Sequence, residues 1–410
     1  MKRYSEYKDS GVKWIGEIPG HWECRKLKFL TSSMQSGDNL TAIQIKEIGK
    51  YPVYGGNGIR GYYDDSNCNK QCIVIGRQGA LCGNVHIVKK PFWATDHAVV
   101  TYANENTDLD FLFYLTKAMN LNQYASQTAA QPGIAVSAIK NIYTCYPPLP
   151  EQEAIVTYLD SKVAKIDEYI SIAEKKIAAL EELKQTIIAE AVTRGIHKEV
   201  PMKDSGVKWI GMIPEHWKVS KIRSLLKLSS EKTDEPNATL LSLSQYTGVK
   251  LKSECERTGM FEAENTIGYN VVHKGQFVMN IMLAWNGSYS VSKYDGVISP
   301  AYCVFDFIAD CNKDYYDYLL RLKSYSGAFK TLSKGLIDSR LRLYPNYFKT
   351  FPILIPPLNE QQEIVTYLDS KVANINQLCQ AERSQIEKLK GYKQRLISDV
   401  VTGKVKVTND

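Results

Sequence analysis

No stretch of the 410 residues offers the roughly 20 consecutive apolar positions that a bilayer-spanning helix needs. The start, Met1-Lys2-Arg3-Tyr4, leads into polar sequence and not into the apolar core of a secretory signal. The expectation is a cytoplasmic protein with no membrane partner. Nine cysteines scattered from Cys24 to Cys379 form no regular framework, and their odd number fits reduced thiols better than disulfides. With 44% apolar and 23% charged residues, wholesale disorder is excluded. Neither charge sign dominates: 51 Lys and Arg against 44 Asp and Glu leave a net +7, which tilts the partner towards an anion, nucleic acid first, without deciding it.

Catalytic signatures are lacking too. There is no phosphate-gripping Gly-x4-Gly-Lys-Ser/Thr loop, no Gly-x-Ser-x-Gly elbow and no His-Glu-x-x-His helix. The Asn-Pro-Pro-Tyr type of tetrapeptide that amino-methyltransferases use is missing; Tyr146-Pro-Pro-Leu149 and Ile355-Pro-Pro-Leu358 have no polar residue to hold an amine. Gly56-Asn-Gly58-Ile-Arg-Gly61 matches the dinucleotide fingerprint in form, but no buried strand is expected before it and no acidic residue follows at the required distance. Cys68, Cys72, Cys82 and His86 carry zinc-type donors at unusual spacing, and Cys72 begins a strand-like run, so they read as structural. His21 and His216 sit beside tryptophans in repeated blocks and read as packing residues. We expect no catalytic residue, metal or cofactor in this chain, and any chemistry to belong to a partner.

What is abundant is self-similarity. Lys8-Asp-Ser-Gly-Val-Lys-Trp-Ile-Gly16 returns unchanged at Lys203–Gly211, and each copy runs on to a His-Trp pair ending at Trp22 and Trp217. Pro147-Pro-Leu149 returns at Pro356-Pro-Leu358, and the ten residues Ile155–Ala164 are identical to Ile364–Ala373. The first offset is 195 positions and the second 209, so the intervening segment has gained 14 residues net in the second copy. Residue by residue those segments hardly match. A fixed frame carrying two different readers is the expected layout, with boundaries at 1–22 (frame), 23–146 (reader), 147–200 (spacer helix), 201–217 (repeated frame), 218–355 (second reader) and 356–410 (second spacer helix).

Each Pro-Pro-Leu heads a long helix. Asn359 is placed to cap with Gln362 three positions on, Pro150 suits a first turn, and Glu151, Glu153 and Glu360 complement the positive end of the dipole. Apolar residues recur at three and four from Ile155 through Leu159, Val163 and Ile166 to Ala191, and from Ile364 through Leu368 and Ile375 to Val400. About 40 residues at 1.5 Å each predict helices about 60 Å long, too long to stand without a partner along the stripe. Each helix has the other as its natural partner, in an antiparallel coiled coil with an internal pseudo-two-fold repeat. The alternative is two helices packed independently on their own domains. Within the identical ten-mer, Asp160, Lys162, Asp369 and Lys371 are not demanded by core packing and are candidates for docking a partner protein; the alternative is that they decorate a helix end.

The readers show short β-rich runs, Cys72–Ile75, His97–Thr101 and Gln276–Met279, between glycine turns, with short helices expected over Asp110–Ala118 and Tyr315–Lys323. The fold class is therefore α+β: two mixed readers separated by two long helices. Their loops carry groups suited to DNA, since arginine forks to guanine, asparagine and glutamine pair with adenine, and lysine meets phosphate. The candidates are Tyr54, Asn57, Arg60, Arg77, Gln78, Lys89 and Lys90 in the first reader. In the second they are Lys274, Asn280, Trp285, Asn286, Arg340 and Arg342.

Duplicated Gly-Val-Lys-Trp-Ile-Gly-x-Ile-Pro-x-His-Trp, duplicated Pro-Pro-Leu-x-Glu-Gln before a long helix, and two unlike segments between them resemble the specificity subunit of type I restriction-modification systems over nearly the whole length. The resemblance implies two target recognition domains, each reading one half of a bipartite site in double-stranded DNA. It implies helices that act as spacer and as docking surface for two methyltransferase subunits, with two motor-nuclease subunits joining for restriction. S-adenosylmethionine would sit on the methyltransferase partner, which modifies adenine. Two other classes stay open: a self-contained DNA methyltransferase or nuclease, and a stand-alone DNA-binding regulator.

Overall fold

A computed structural model of the chain describes residues 2–79, 81–126, 132–255, 265–335 and 341–408. Four helices organise it: α1 (Leu109–Ala118), α2 (Leu149–Arg194), α3 (Lys313–Leu320) and α4 (Leu358–Val401). α2 and α4 are unbroken over 46 and 44 residues. The chain folds as two units, Met1–Glu174 with Glu382–Asp410, and Lys175–Ala381, so each long helix contributes one part to each unit.

Inside each unit the two helix parts run antiparallel. In the second, Lys184 Nζ donates to Asn376 Oδ1 at 3.1 Å and His197 meets Glu363 at 3.1 Å, one number rising as the other falls. In the first, Lys393 Nζ bonds Asp167 Oδ1 at 2.6 Å, and the Cys145 thiol, ahead of α2, donates to Val401 O at 3.0 Å. The helices also pack on their own readers: Ile155, Leu159 and Ile166 share one core with Leu396, Ile397 and Val400 and with Phe111 and Leu115 of α1. Mutual pairing and packing on a domain, set against each other as alternatives, are both present because the stripe is wide enough to serve two neighbours.

The helix starts differ from the expected capping. Both begin at the leucine of Pro-Pro-Leu, which places Asn359 inside the first turn and not at the cap. Gln362 instead accepts from Asn312 Nδ2 at 2.8 Å. The two acidic side chains Glu151 and Glu360 hold the repeated tryptophan blocks, as described below.

Each reader is inserted between two paired strands. In the first unit β1 (Glu23–Lys26) pairs antiparallel with β8 (Tyr143–Tyr146), Cys24 opposite Cys145. Between them lie β2 (Thr31–Ser36), β3 (Tyr51–Gly55), β4 (Gly58–Tyr63), β5 (Cys72–Gly76), β6 (Val85–Val88) and β7 (Ala98–Ala103). In the second unit β9 (Lys218–Lys221) pairs with β16 (Pro352–Ile355), Val219 opposite Leu354. That pair encloses β10 (Leu226–Leu228), β11 (Leu241–Ser244), β12 (Gly248–Leu251), β13 (Phe277–Asn280), β14 (Tyr289–Val291) and β15 (Tyr302–Phe307).

The two readers, unlike in sequence, share a sheet. Strand order is β2-β7-β5-β6 in one and β10-β15-β13-β14 in the other. Register agrees as well: Val99 faces Ile75 and Cys303 faces Met279, while Ile73 faces Ile87 and Phe277 faces Val291. Every one of these positions is matched at a constant shift of 204 residues. The central strands β5, β13 and β14 are buried throughout, which explains how dissimilar sequences give one sheet, because any β-branched, aromatic or sulfur side chain of suitable volume fills a buried strand position.

The repeated blocks close the frame in the same way twice. Trp22 and Trp217 are fully buried. Trp22 Nε1 and His21 Nε2 bond the two oxygens of Glu151 at 3.1 and 2.5 Å; Trp217 and His216 treat Glu360 alike at 2.9 and 2.6 Å. The far side of each tryptophan meets a glycine just past a helix end, Gly403 in the first unit and Gly195 in the second, at φ +75° and +76°. Residues near the two chain ends therefore meet: Lys406 N donates to Lys2 O at 2.9 Å and Tyr7 OH to Gly403 O at 3.2 Å. A permutant joining residue 408 to residue 2 through a short glycine linker and opened after Gly195 should keep the parent's far-ultraviolet circular dichroism and come within about 1 kcal/mol of its stability in urea, the cost of a lost loop constraint. A permutant that fails to fold contradicts this closure.

Candidate nucleic-acid interface

Three pieces of backbone build one edge of the first reader. The β3–β4 hairpin turns at Gly56-Asn57, and Gly58 takes φ +92°. The loop between β5 and β6 lies beside it so closely that a Cβ on Gly76 would overlap the Gly56 carbonyl. Residues 132–134 brace the loop, Ile134 N donating to Arg77 O at 2.9 Å and Gln78 forming a bridge with Gly133. The result is a groove of about 460 Å³ lined by Gly56, Asn57, Ile59, Arg60, Gln78 and Leu81. The strand that precedes the Gly-x-Gly-x-x-Gly stretch is only partly buried, and the stretch opens a second strand where the dinucleotide fold needs a helix.

The first reader's candidates divide by where their side chains go. Asn57, Arg60 and Gln78 share the groove; the Asn57 carbonyl oxygen accepts from Asn84 Nδ2 at 2.5 Å. Arg77 turns inward, donating through Nη1 to Ser36 Oγ at 2.8 Å, so its fork is only partly available to a base. Tyr54 is half-buried with its ring edge on Phe92 at 5.2 Å, and desolvation raises its hydroxyl pKa. Lys89 is paired with Asp110 of α1 at 3.0 Å, while Lys90 is exposed.

The second reader repeats the edge with other residues. The β13–β14 loop occupies the place of the β5–β6 loop, and Leu343 N braces it through Ile281 O at 3.0 Å. Trp285 and Asn286 lie on this loop, Trp285 half-exposed beneath the Lys330 ammonium at 5.2 Å and Asn286 exposed. Asn280 is only 5% exposed; its side-chain oxygen accepts from Met282 N at 2.9 Å, which organises the loop and leaves little for a base. Lys274 is exposed on a turn held by Asp295, and Arg342 donates to its neighbour's carbonyl at 3.0 Å beside the bridge from Lys334. Arg340 lies outside the described residues.

Sequence reading missed the second hairpin. β11 and β12 turn at Gln245-Tyr246-Thr247 into Gly248 at φ +71°, the counterpart of the Gly56–Gly58 turn. The equivalence is fixed by the parallel contacts of the two hairpins, Val53 with Trp93 and Leu240 with Val297, again 204 residues apart on the receiving strand. Tyr246 is 82% exposed at the tip, and Arg321 Nη2 holds the turn through Gln245 O and Tyr246 O at 3.0 and 3.1 Å. The signal was there: Leu-Ser-Leu-Ser alternation, a polar turn ending in glycine, and a second short run.

The docking candidates also find places. Asp160 accepts from Tyr114 OH at 2.7 Å and Asp369 from Tyr318 OH at 2.8 Å, so the chain's own reader engages one oxygen of each carboxylate while both residues remain exposed. Lys162 and Lys371 are exposed, each over the ring of a tyrosine four residues back, at 5.7 and 5.6 Å.

The sequence matches the type I restriction modification DNA specificity domain family twice, over residues 19–182 and 214–388. The chain belongs to this family. Each match takes in one reader and most of the helix that follows it, so each reader lies within one copy of the DNA specificity domain. The specificity subunit of the type I restriction enzyme EcoprrI of Escherichia coli is 39% identical over 164 residues, 39% of this chain and 40% of that one. The MjaVIII specificity subunit of Methanocaldococcus jannaschii is 26% identical over 369 residues, 83% of this chain and 80% of its own. A putative MjaX specificity subunit of the same organism is 24% identical across 98% of both chains. A chain from a solved structure concerning complex assembly and conformational transition of the type I R-M system aligns over 95% of this chain and 99% of its own, with a TM-score of 0.67 at 14% identity, so the fold is shared. No helix among the described residues is long and apolar enough to cross a membrane.

Proposed function

We propose that this chain is the non-catalytic specificity subunit of a cytoplasmic type I restriction-modification complex, with each recognition domain reading one half of a bipartite target. The observation that carries this reading is the pair of identical sheets holding unlike loops on one pair of long helices. One architecture is presented twice, with different residues on the loops that could meet bases. Asn57, Arg60 and Gln78 supply base-reading and phosphate-reading groups in one groove; Tyr246, Trp285 and Asn286 supply stacking and amide groups in the other domain. The helices set the spacing of the half-sites, since each unbroken helix takes part in both units.

Two methyltransferase subunits would dock along the helix surface and two motor-nuclease subunits would join them for restriction. S-adenosylmethionine belongs on the methyltransferase, which flips the adenine out of the duplex, while this chain's own work is binding and orientation. Mapping of methylated adenines tests the reading. The chain with its methyltransferase partner and S-adenosylmethionine should mark one bipartite sequence, and the partner without the chain should mark none. Methyl transfer by the purified chain alone would overturn the non-catalytic role.

A further inference from the structure

The segments that differ most between the two units keep one thing in common. Asp108 and Asn312 cap α1 and α3, accepting from the backbone two or three residues on, and a tyrosine follows six positions later in each, Tyr114 and Tyr318. Both ends of that seven-residue stretch are tied to the long helix beside it. The cap's backbone N–H donates to the side-chain oxygen of Gln152 in one unit and Gln361 in the other, at 2.9 Å in both. Those glutamines are 0% and 2% exposed, and their amide groups donate back to Pro147 O and Pro356 O at 2.9 and 2.8 Å. The tyrosine hydroxyls reach Asp160 and Asp369, eight residues further along the helix.

We propose that these four residues form an orientation clamp, present in both units, that stops each recognition domain from swivelling on its helix and so makes the half-site gap strict. The mechanical reason is simple. Besides the paired entry and exit strands, β1 with β8 or β9 with β16, each reader rests on its helix through a shared apolar core, Phe111 and Leu115 on Ile155 and Leu159 or Tyr315 and Leu319 on Ile364 and Leu368. Apolar contact is non-directional, and two separated hydrogen-bonded contacts add the fixed angle that it lacks. The two contacts stand about 9 Å apart along α1 or α3 and about 12 Å apart along α2 or α4, at 1.5 Å per residue. Burial and the bond to the aspartate both hold the tyrosines protonated, so the hydroxyl remains a donor throughout the neutral range. The clamp also accounts for the aspartate of the repeated ten-mer and for the glutamine of the Glu-Gln pair before it: the glutamate grips the tryptophan block, and the glutamine and aspartate grip the reader. Tyr114, Tyr318, Asp160 and Asp369 are thus positioning residues, acting through the orientation of loops that touch DNA.

This inference rests on the reading of the chain as a bipartite DNA reader, and one experiment separates the two. The assembled complex with its methyltransferase partner is given DNA carrying both half-sites at the native gap and at gaps one base pair longer and shorter. Tyr114→Phe and Asp160→Leu should keep the half-site sequences and lose about tenfold in discrimination between gaps, the effect of one hydrogen bond to a charged group. Asp160→Asn retains an acceptor and should keep the parent's discrimination. Tyr318→Phe, Asp369→Leu and Asp369→Asn repeat the comparison in the second unit. Unchanged gap discrimination in Tyr114→Phe and Tyr318→Phe, or Asp160→Asn as lax as Asp160→Leu, overturns the clamp alone. A parent complex that marks single half-sites without regard to gap overturns the bipartite reading beneath it.

Discussion

Four residues inserted after Glu174 in α2 and four after Ala381 in α4 should lengthen the gap between the two half-sites and leave both half-sites unchanged. Four residues are about one helical turn and add about 6 Å, while returning the apolar stripe nearly in phase, so the core partners of each unit keep their faces. At roughly 3.4 Å per base pair the expected change is about one or two base pairs of non-specific spacer. The insertion points fall where each helix passes from one unit to the other, which spares Gln152, Asp160, Gln361 and Asp369. Sequencing of methylated sites reads the result directly. Altered half-sites with the old gap would show that the helices are not the ruler.

The second large effect concerns stability. Trp22→Ala and Trp217→Ala each empty a fully buried indole site and remove one of the donors to the carboxylate of Glu151 or Glu360. Loss of so large a side chain costs about 3–5 kcal/mol, which is a large part of what an ordinary domain has. Trp→Phe at the same positions should cost less, because most of the volume returns and only the indole donor is lost. Urea unfolding followed by circular dichroism measures both. A loss below about 1 kcal/mol in the alanine variants would mean that the repeated blocks are ornaments and not the joints of the frame.

Much of the frame can be read without coordinates because its physics is local. Helical periodicity over 40 residues admits no other element, and identical blocks at two offsets announce a repeat. The strand runs at 72–75, 97–101 and 276–279 lie within a residue or two of β5, β7 and β13, since short β-branched runs between glycines have few alternatives. Where the reading slipped, a distant partner decided. Asn359 has the chemistry of a cap, yet the leucine before it already lies in the helix. Glu151 suits a helix dipole, yet its two oxygens are taken by His21, Trp22 and Tyr4. Arg77 and Asn280 have the side chains of base readers, but one turns towards Ser36 and the other is buried in its own loop.

The likeness of the two recognition domains stayed hidden for a different cause. A constant shift of 204 residues links their sheets, but buried strand positions accept many apolar residues, so the same register is written in different letters. One trace does survive in the letters, the acidic or amide cap with tyrosine and leucine six and seven positions later, at Asp108 and at Asn312. Taken alone it is too short to separate from chance.

Amino-acid order alone therefore establishes the duplication, the long amphipathic helices and the family resemblance, because those depend on spacing along the chain. Which polar groups face outward to a ligand and which are consumed inside the protein was decided by folding. Glu151, Asp160 and their repeats at Glu360 and Asp369 find their partners as few as 46 and as many as 147 residues away, and no local pattern encodes contacts across that separation.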